Sequence, residues 1–339
     1  RKVDRYTVSD ARALAGFWPT LSGPSDDLEL AIGNWGEAKG FADGGASVVY
    51  YTTIDSLNYD TVTLDLETGE LTRLTSHPEY DEDVVLSPDD RWFVQACYRN
   101  YERMRVFSLV PRPAIVDAML RGPIALLRNQ EQRRFFDLFV LPVERSDEVP
   151  VTAIELAGPE GNDPNVNSRG TGRWSPDGTE FAFLDETAGQ LGTARLKVAR
   201  FDDLTPATPT PPVATPVPSW APPVDEAVSP VEDVTGTLNG PAGGSAEVDV
   251  NIDLSGSGNP STITITYSDY STDGCSTLNG TEGATVDGLN YTWTADLAVS
   301  GCHEGSLVAD LQGVALPASA TGTVIAEYDG TRVEGIPQP

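Results

Sequence analysis

The chain has 339 residues, enough for two or three domains of ordinary size. Its 51 acidic and 22 basic residues give a formal charge of −29, which excludes nucleic acid and anionic membrane surfaces as partners because both would repel it. With two histidines (His77 and His303), and no G-x-S-x-G elbow, phosphate loop, G-x-G-x-x-G or H-E-x-x-H run, multi-histidine metal centres and most familiar enzyme chemistries are excluded.

Only Lys2, Lys39 and Lys197 are lysines, a composition that suits a salt-rich or extracellular setting. No apolar run reaches 18 residues, so no membrane insertion is expected. Beginning at Arg1 without Met or a signal-like apolar stretch, the chain reads as a processed protein or a fragment. Gly and Pro together make up about a sixth of it, and Val, Ile, Thr and Tyr recur between turn signals, the profile of an all-β protein.

Residues 1–204 carry a repeat. Phe41-Ala-Asp-Gly44, Ser87-Pro-Asp-Asp90 and Ser175-Pro-Asp-Gly178 each precede an apolar run: ASVVYYTT, RWFVQACY and TEFAFLDE. Ser, Pro and Gly at the first, second and fourth positions favour a type I turn, Asp can bond its own backbone, and the following run predicts a well-buried strand. Val62, Leu64 and Leu66 alternate with Thr61, Thr63 and Asp65, Glu67-Thr-Gly69 supplies a hairpin turn with Gly69 at positive φ, and Leu71-Thr-Arg-Leu74 returns as the partner strand. A looser copy of this plan runs over 135–156.

Turns 46 residues apart, with several strands between them, have the period of propeller blades. Here the chain resembles the TolB-like, PD40-type β-propeller repeats, through Trp174-Ser-Pro-Asp-Gly178, Asp65-Leu-Glu-Thr-Gly-Glu70 and Arg73-Leu-Thr75. The resemblance covers about residues 35–203. It implies four-stranded blades and a protein-binding scaffold of the bacterial envelope, or a non-catalytic cap of the kind fused to serine peptidases; no peptidase domain follows. About three blades are countable, fewer than the four to eight of a closed ring. The second interval is doubled by 111–135, where Ile115, Met119, Leu120, Ile124 and Leu127 predict a helical insertion over about 112–134, packed across the propeller or serving as a docking element.

Residues 205–231 open with TPATPTPPVATPVPSWAPP, a segment that favours polyproline II and reads as a spacer. Beyond residue 205 the chain carries 17 acidic residues and a single base, Arg332. Residues 232–339 alternate cleanly: Ala246, Val248, Val250, Ile252 and Leu254; Ile263, Ile265 and Tyr267; Tyr291, Trp293, Ala295 and Leu297. Six or so strands in this length predict a small Ig-like β-sandwich. Cys275 and Cys302 lie beside strands there and are expected to pair, closing a loop worth roughly 3 kcal/mol on the chain-entropy model and pointing to an oxidising compartment. Cys97 reads as a small core residue.

Asp269-Tyr-Ser271-Thr-Asp273-Gly274 matches the first half of a calcium loop, but position 12 is Gly280, with Glu282 two further on; an Asp-Gly turn explains the same residues. His303-Glu304 beside Cys302, and His77 after Arg73-Leu-Thr75, read as turn residues. No catalytic, cofactor-binding or metal residue is assigned. The fold expectation is thus all-β: a partial propeller-like domain with one helical insertion, a Pro/Thr linker, and a disulfide-stapled β-sandwich. The functional expectation is a non-enzymatic exported scaffold (secreted, periplasmic or cell-surface) acting through a protein partner or self-association. Alternatives are a subunit of an extracellular filament or surface layer and, third, a glycosidase using a carboxylate pair.

Overall fold

The computed structural model describes residues 20–22, 29–31, 36–54, 58–97, 99, 105–113, 137–145, 154–155, 166–187, 193–202, 204–220, 233–251, 260–314 and 319–335. Strands β1 (Thr20–Ser22) and β2 (Glu29–Ala31) belong to the last and largest sheet. The first blade is the antiparallel meander β3 (Gly36–Ala42), β4 (Ser47–Ile54), β5 (Asn58–Asp65) and β6 (Leu71–Arg73). The second is β7 (Asp81–Leu86), β8 (Trp92–Cys97), β9 (Asp137–Pro142) and β10 (Ile154–Glu155), with the helical turn α1 (Arg105–Ser108) between its second and third strands. The third has three described strands, β11 (Val166–Trp174), β12 (Glu180–Thr187) and β13 (Arg195–Arg200).

The turn chemistry explains why the blades recur. In Ser175–Gly178 the Gly178 amide closes on the Ser175 carbonyl at 2.9 Å, Ser175 Oγ donates to Asp177 Oδ1 at 2.6 Å, and the Glu180 amide donates back to Ser175 Oγ at 2.9 Å. The second blade repeats this with Asp90 N to Ser87 O at 3.0 Å, Ser87 Oγ to Asp89 Oδ1 at 2.6 Å and Trp92 N to Ser87 Oγ at 3.1 Å. These Asx- and Ser-capped turns fix the register of the strand that follows. At the β5–β6 turn, Asp65 Oδ1 accepts the Glu67 and Thr68 amides and Gly69 takes φ 76°, as the Glu-Thr-Gly reading required.

The remaining strands are β14 (Asp233–Asn239), β15 (Gly243–Asn251), β16 (Ser261–Ser271), β17 (Ser276–Asp287), β18 (Asn290–Gly301), β19 (Gly305–Val314), β20 (Ser319–Tyr328) and β21 (Thr331–Glu334). The alternation sorts them as anticipated: Ala246, Val248, Val250, Ile263, Ile265, Tyr267, Tyr291, Trp293, Ala295 and Leu297 are all buried. Their assembly differs from two facing sheets. Each strand pairs with its sequence neighbour in one continuous antiparallel sheet ordered β2-β1-β14 through β21, and part of its buried face is covered by residues outside 232–339.

That cover comes from α1 and the residues after it. Phe107 stacks on Trp293 with ring centroids 5.3 Å apart, Val106 lies against Gly335, and Val110 is fully buried. One apolar cluster therefore runs from Tyr51, Tyr59 and Tyr80 through Val94 and Phe107 to the Trp293 face of the sheet. Burying side chains of this size contributes roughly 1.5–3 kcal/mol each, so the two halves share a core. The start of the 111–135 stretch thus packs on the C-terminal sheet; residues 114–136, which hold the rest of the anticipated helical insertion, lie outside the described residues. The Pro/Thr segment also departs from the spacer reading, since residues 204–220 lie along the blades.

Candidate functional site

Three groups of residues stand out, and the first is electrostatic. Asp60, buried on β5, accepts from Asn58 Nδ2 at 3.0 Å, from Thr75 Oγ1 at 3.2 Å and from the Arg73 guanidinium. Burial lifts its carboxyl well above the usual range, Arg73 opposes the rise, and Asp81 adds to it. Asp81 is paired with Arg99 at 2.9 Å, and Thr61 Oγ1 reaches across from the first blade to Gln95 Oε1 of the second at 2.6 Å. Each carboxylate faces a cation of its own blade, and the Thr61–Gln95 bond joins the two blades.

The second group is a cleft of about 550 Å³ between the first two blades, lined among others by Lys39, Phe41, Val84, Leu86, Asp90 and Thr210. Lys39 bridges Glu37 at 2.8 Å and Asp83 of the neighbouring blade at 2.5 Å, while Phe41 is 64% exposed at the rim. Asp90 sits where three segments meet: Asp43 N donates to its Oδ2 at 3.1 Å and the Thr210 side chain bonds to it. Burial raises its carboxyl above the ordinary value, against the pull of those two donors.

The third is the outer face of the last blade. Trp174 seals the inner face by donating its indole N–H to Val85 O at 3.0 Å and packing on Phe181 and Phe201. On the opposite face Leu184 pairs with Leu196 and Ala182 with Val198 across β12–β13. Leu196 is 72% exposed, Val198 57% and Leu184 44%. Arg195, Lys197 and Arg200 share the strand; Lys197 is bridged to Asp185 and Arg200 to Glu180 at 2.6 Å.

The residues singled out in the sequence fall elsewhere. Cys275 and Cys302 are bridged, their Cα atoms 5.5 Å apart across the open end of the β17–β18 hairpin, and Cys97 is buried outside any disulfide. Asp273 Oδ1 takes the amides of Cys275 at 2.8 Å and Ser276 at 2.7 Å, which hold its carboxyl down to about 2, and Asp269 Oδ1 takes Asn279 Nδ2 at 3.0 Å. Those carboxylates serve the turn. Glu282 points into the core, where Tyr267 Oη donates to it at 2.6 Å and Arg112 Nε at 3.0 Å. Among the described residues, no group of three or more His, Cys, Asp or Glu is placed to hold a metal ion. His303 bonds Asp329 through Nδ1 at 2.6 Å and stacks on Tyr328; His77 accepts the Glu79 amide on Nδ1 at 3.2 Å and feels the charges of Arg99 and Arg105. Sequence reasoning missed Arg112 and Trp220, both tied to partners more than 150 residues away.

No helix among the described residues is long and apolar enough to cross a membrane. No family model matches the sequence, and no curated protein matches it. Among solved structures, a protein assigned as TolB from Agrobacterium tumefaciens is similar at TM-score 0.32 and 16% identity, covering 50% of this chain and 46% of that one. TolB from Acinetobacter baumannii gives TM-score 0.28 and 12% identity over 69% and 40%, and oligopeptidase B from Leishmania major 0.25 and 10% over 86% and 38%. The chain thus spans less than half the length of each of these structures. The likeness is partial and distant, and the blade assignment rests on the strand order given above.

Proposed function

We propose that the chain is a non-enzymatic, exported protein-interaction scaffold working outside the cytoplasm, at the cell surface, in the periplasm or secreted. The observation that carries this reading is the outer face of the third blade. Leu184, Leu196 and Val198 form a strip that blade-on-blade packing covers elsewhere in the array; of the basic residues on β13 only Arg200 shares its face, where it is bridged to Glu180. An exposed apolar strip edged by a paired Arg200–Glu180 bridge fits an apolar patch on a partner protein, whose burial sets residence. The disulfide agrees with an oxidising compartment.

Self-association, as in a filament or surface layer, is the second reading. It is favoured by Glu247, Asp249, Asp296 and Asp310, which stand on the exposed face of the C-terminal sheet and complement the basic strand of another copy. Light scattering on native material tests both. The scaffold reading expects a discrete particle heavier than 36.2 kDa, reduced to the single chain by Leu196→Glu with Val198→Glu; the second reading expects long polymers dispersed by the same pair. A single chain of unchanged mass in native material, with and without the substitutions, overturns both.

A further inference from the structure

Residues 205–220 cross the turn ends of all three blades in reverse chain order. Ala207 N–H donates to Asp177 O at 2.7 Å in the third blade, Thr210 N–H to Pro88 O at 2.7 Å in the second, and Val213 N–H to Gly44 O at 2.9 Å in the first. The donors are three residues apart and each follows a proline: Pro206, Pro209 and Pro212. Polyproline II has three residues per turn, so amides at this spacing project from one edge and advance about 9 Å each time.

The acceptors belong to the recurrent turn of each blade, and the approach is close because glycine is there. A Cβ on Gly44 would collide with the Pro211 carbonyl, and one on Gly178 would stand 3.2 Å from Ala207 Cβ. At the far end Trp220 donates its indole N–H to Leu66 O at 3.0 Å and lays its ring against Gly69, where a Cβ would meet it at 3.1 Å. Of the donors' side chains only Thr210 adds a polar contact, to Asp90, while Ala207 and Val213 carry no polar group, so what the three turns share is the main-chain amide and its period. Other segments with the same proline period present the same donors.

We propose that the blade-turn face is a docking groove for polyproline-II segments, occupied in cis by residues 205–220, and that the partner it takes in trans is a proline-rich segment with an amide after every third-residue proline. The inference rests on the scaffold reading only in that the chain binds proteins; it names a partner class at a second surface. The tethered segment is the competitor that a partner must displace, at an effective concentration in the millimolar range for a short link.

Hydrogen exchange on the whole chain tests the register: the amides of Ala207, Thr210 and Val213 are expected to exchange at least tenfold more slowly than those of Ala214 and Val217 in the same segment. Uniform exchange across the segment overturns the proposal. Replacing Ala207, Thr210 and Val213 together by Pro removes the donors and keeps the φ of the segment. A fluorescent synthetic peptide of residues 205–220, followed by anisotropy, is then expected to bind this variant at least tenfold more tightly than the wild type, while a peptide carrying the three prolines binds neither. Equal affinity for wild type and variant, or no binding to the vacated face, overturns the proposal. If the triple variant does not fold, Thr210→Pro alone serves for the same titration. Leu196→Glu with Val198→Glu is expected to leave peptide binding unchanged, so the two readings fail separately.

Discussion

His77 shows how a residue without a ligand role still sets a property of the protein. It is half-buried, and burial together with the charges of Arg99 and Arg105 holds its pKa down to about 4, against a weaker opposing pull from Asp81. The Glu79 amide donates to Nδ1 at 3.2 Å, a bond that requires that nitrogen unprotonated. The folded pKa is depressed below the ordinary 6.5, so as pH falls from 6.5 to about 4 the unfolded chain takes up a proton that the native state refuses. Stability from this residue is complete above pH 6.5 and is lost across that window. The full shift corresponds to about 3 kcal/mol, cut to about 1–2 kcal/mol by solvent access. His77→Asn keeps an acceptor for the Glu79 amide and has no proton to gain. Urea unfolding at pH 7 and pH 4.5 is expected to show the wild type losing about 1–2 kcal/mol more than this variant; equal losses would mean that His77 titrates normally.

At the scale of elements, legibility followed locality. The blade turns were legible because Ser, Asp and Gly act on amides within five residues of themselves, and the C-terminal strands because period-two alternation needs no partner to be seen. Two facts were hidden for one reason: their partners are distant in sequence. The proline period of 205–213 was visible, but the carbonyls that turn it into a register lie 30 to about 170 residues upstream. Alternation also fixes which face of a strand is buried without saying what buries it, which is why a sandwich and one continuous sheet partly covered by α1 read alike. The disulfide belongs with the local features, because Cys275 and Cys302 close the β17–β18 hairpin, with Cys302 N already bonded to Cys275 O at 3.1 Å. Its benefit is therefore in the unfolded chain, where it removes loop freedom over a 27-residue separation. Replacing both cysteines by serine is expected to cost roughly 3 kcal/mol in urea unfolding with the native β circular dichroism retained; a loss below about 1 kcal/mol would show that the reduced chain keeps that hairpin when unfolded.

Over the whole molecule, the blades and the C-terminal sheet are joined by burial. Arg112 follows α1 into the sheet, gives Nε to both oxygens of Glu282 at 3.0 and 3.1 Å, and gives Nη1 to the carbonyl of Phe107 at 2.7 Å. Both side chains are fully buried, and Tyr267 Oη completes the group. A buried pair of this kind adds little against an apolar replacement, but removing one member strands the other charge, at a cost of about 3–5 kcal/mol. Arg112 enters from the second blade's insertion and Glu282 stands on β17, so that cost falls on both halves. Arg112→Ala is expected to lower the unfolding free energy by that amount, and Arg112→Met combined with Glu282→Leu to recover most of it. Followed together by far-ultraviolet circular dichroism and by tryptophan fluorescence, to which, among the described residues, Trp92, Trp174 and Trp220 on the blades and Trp293 in the sheet contribute, wild type and variants are each expected to unfold in one coincident transition. If Arg112→Ala instead separates the two signals, with the blade tryptophans unmoved, the shared cluster from Tyr51 to Trp293 is contact without coupling, and the two halves are independent modules that happen to touch.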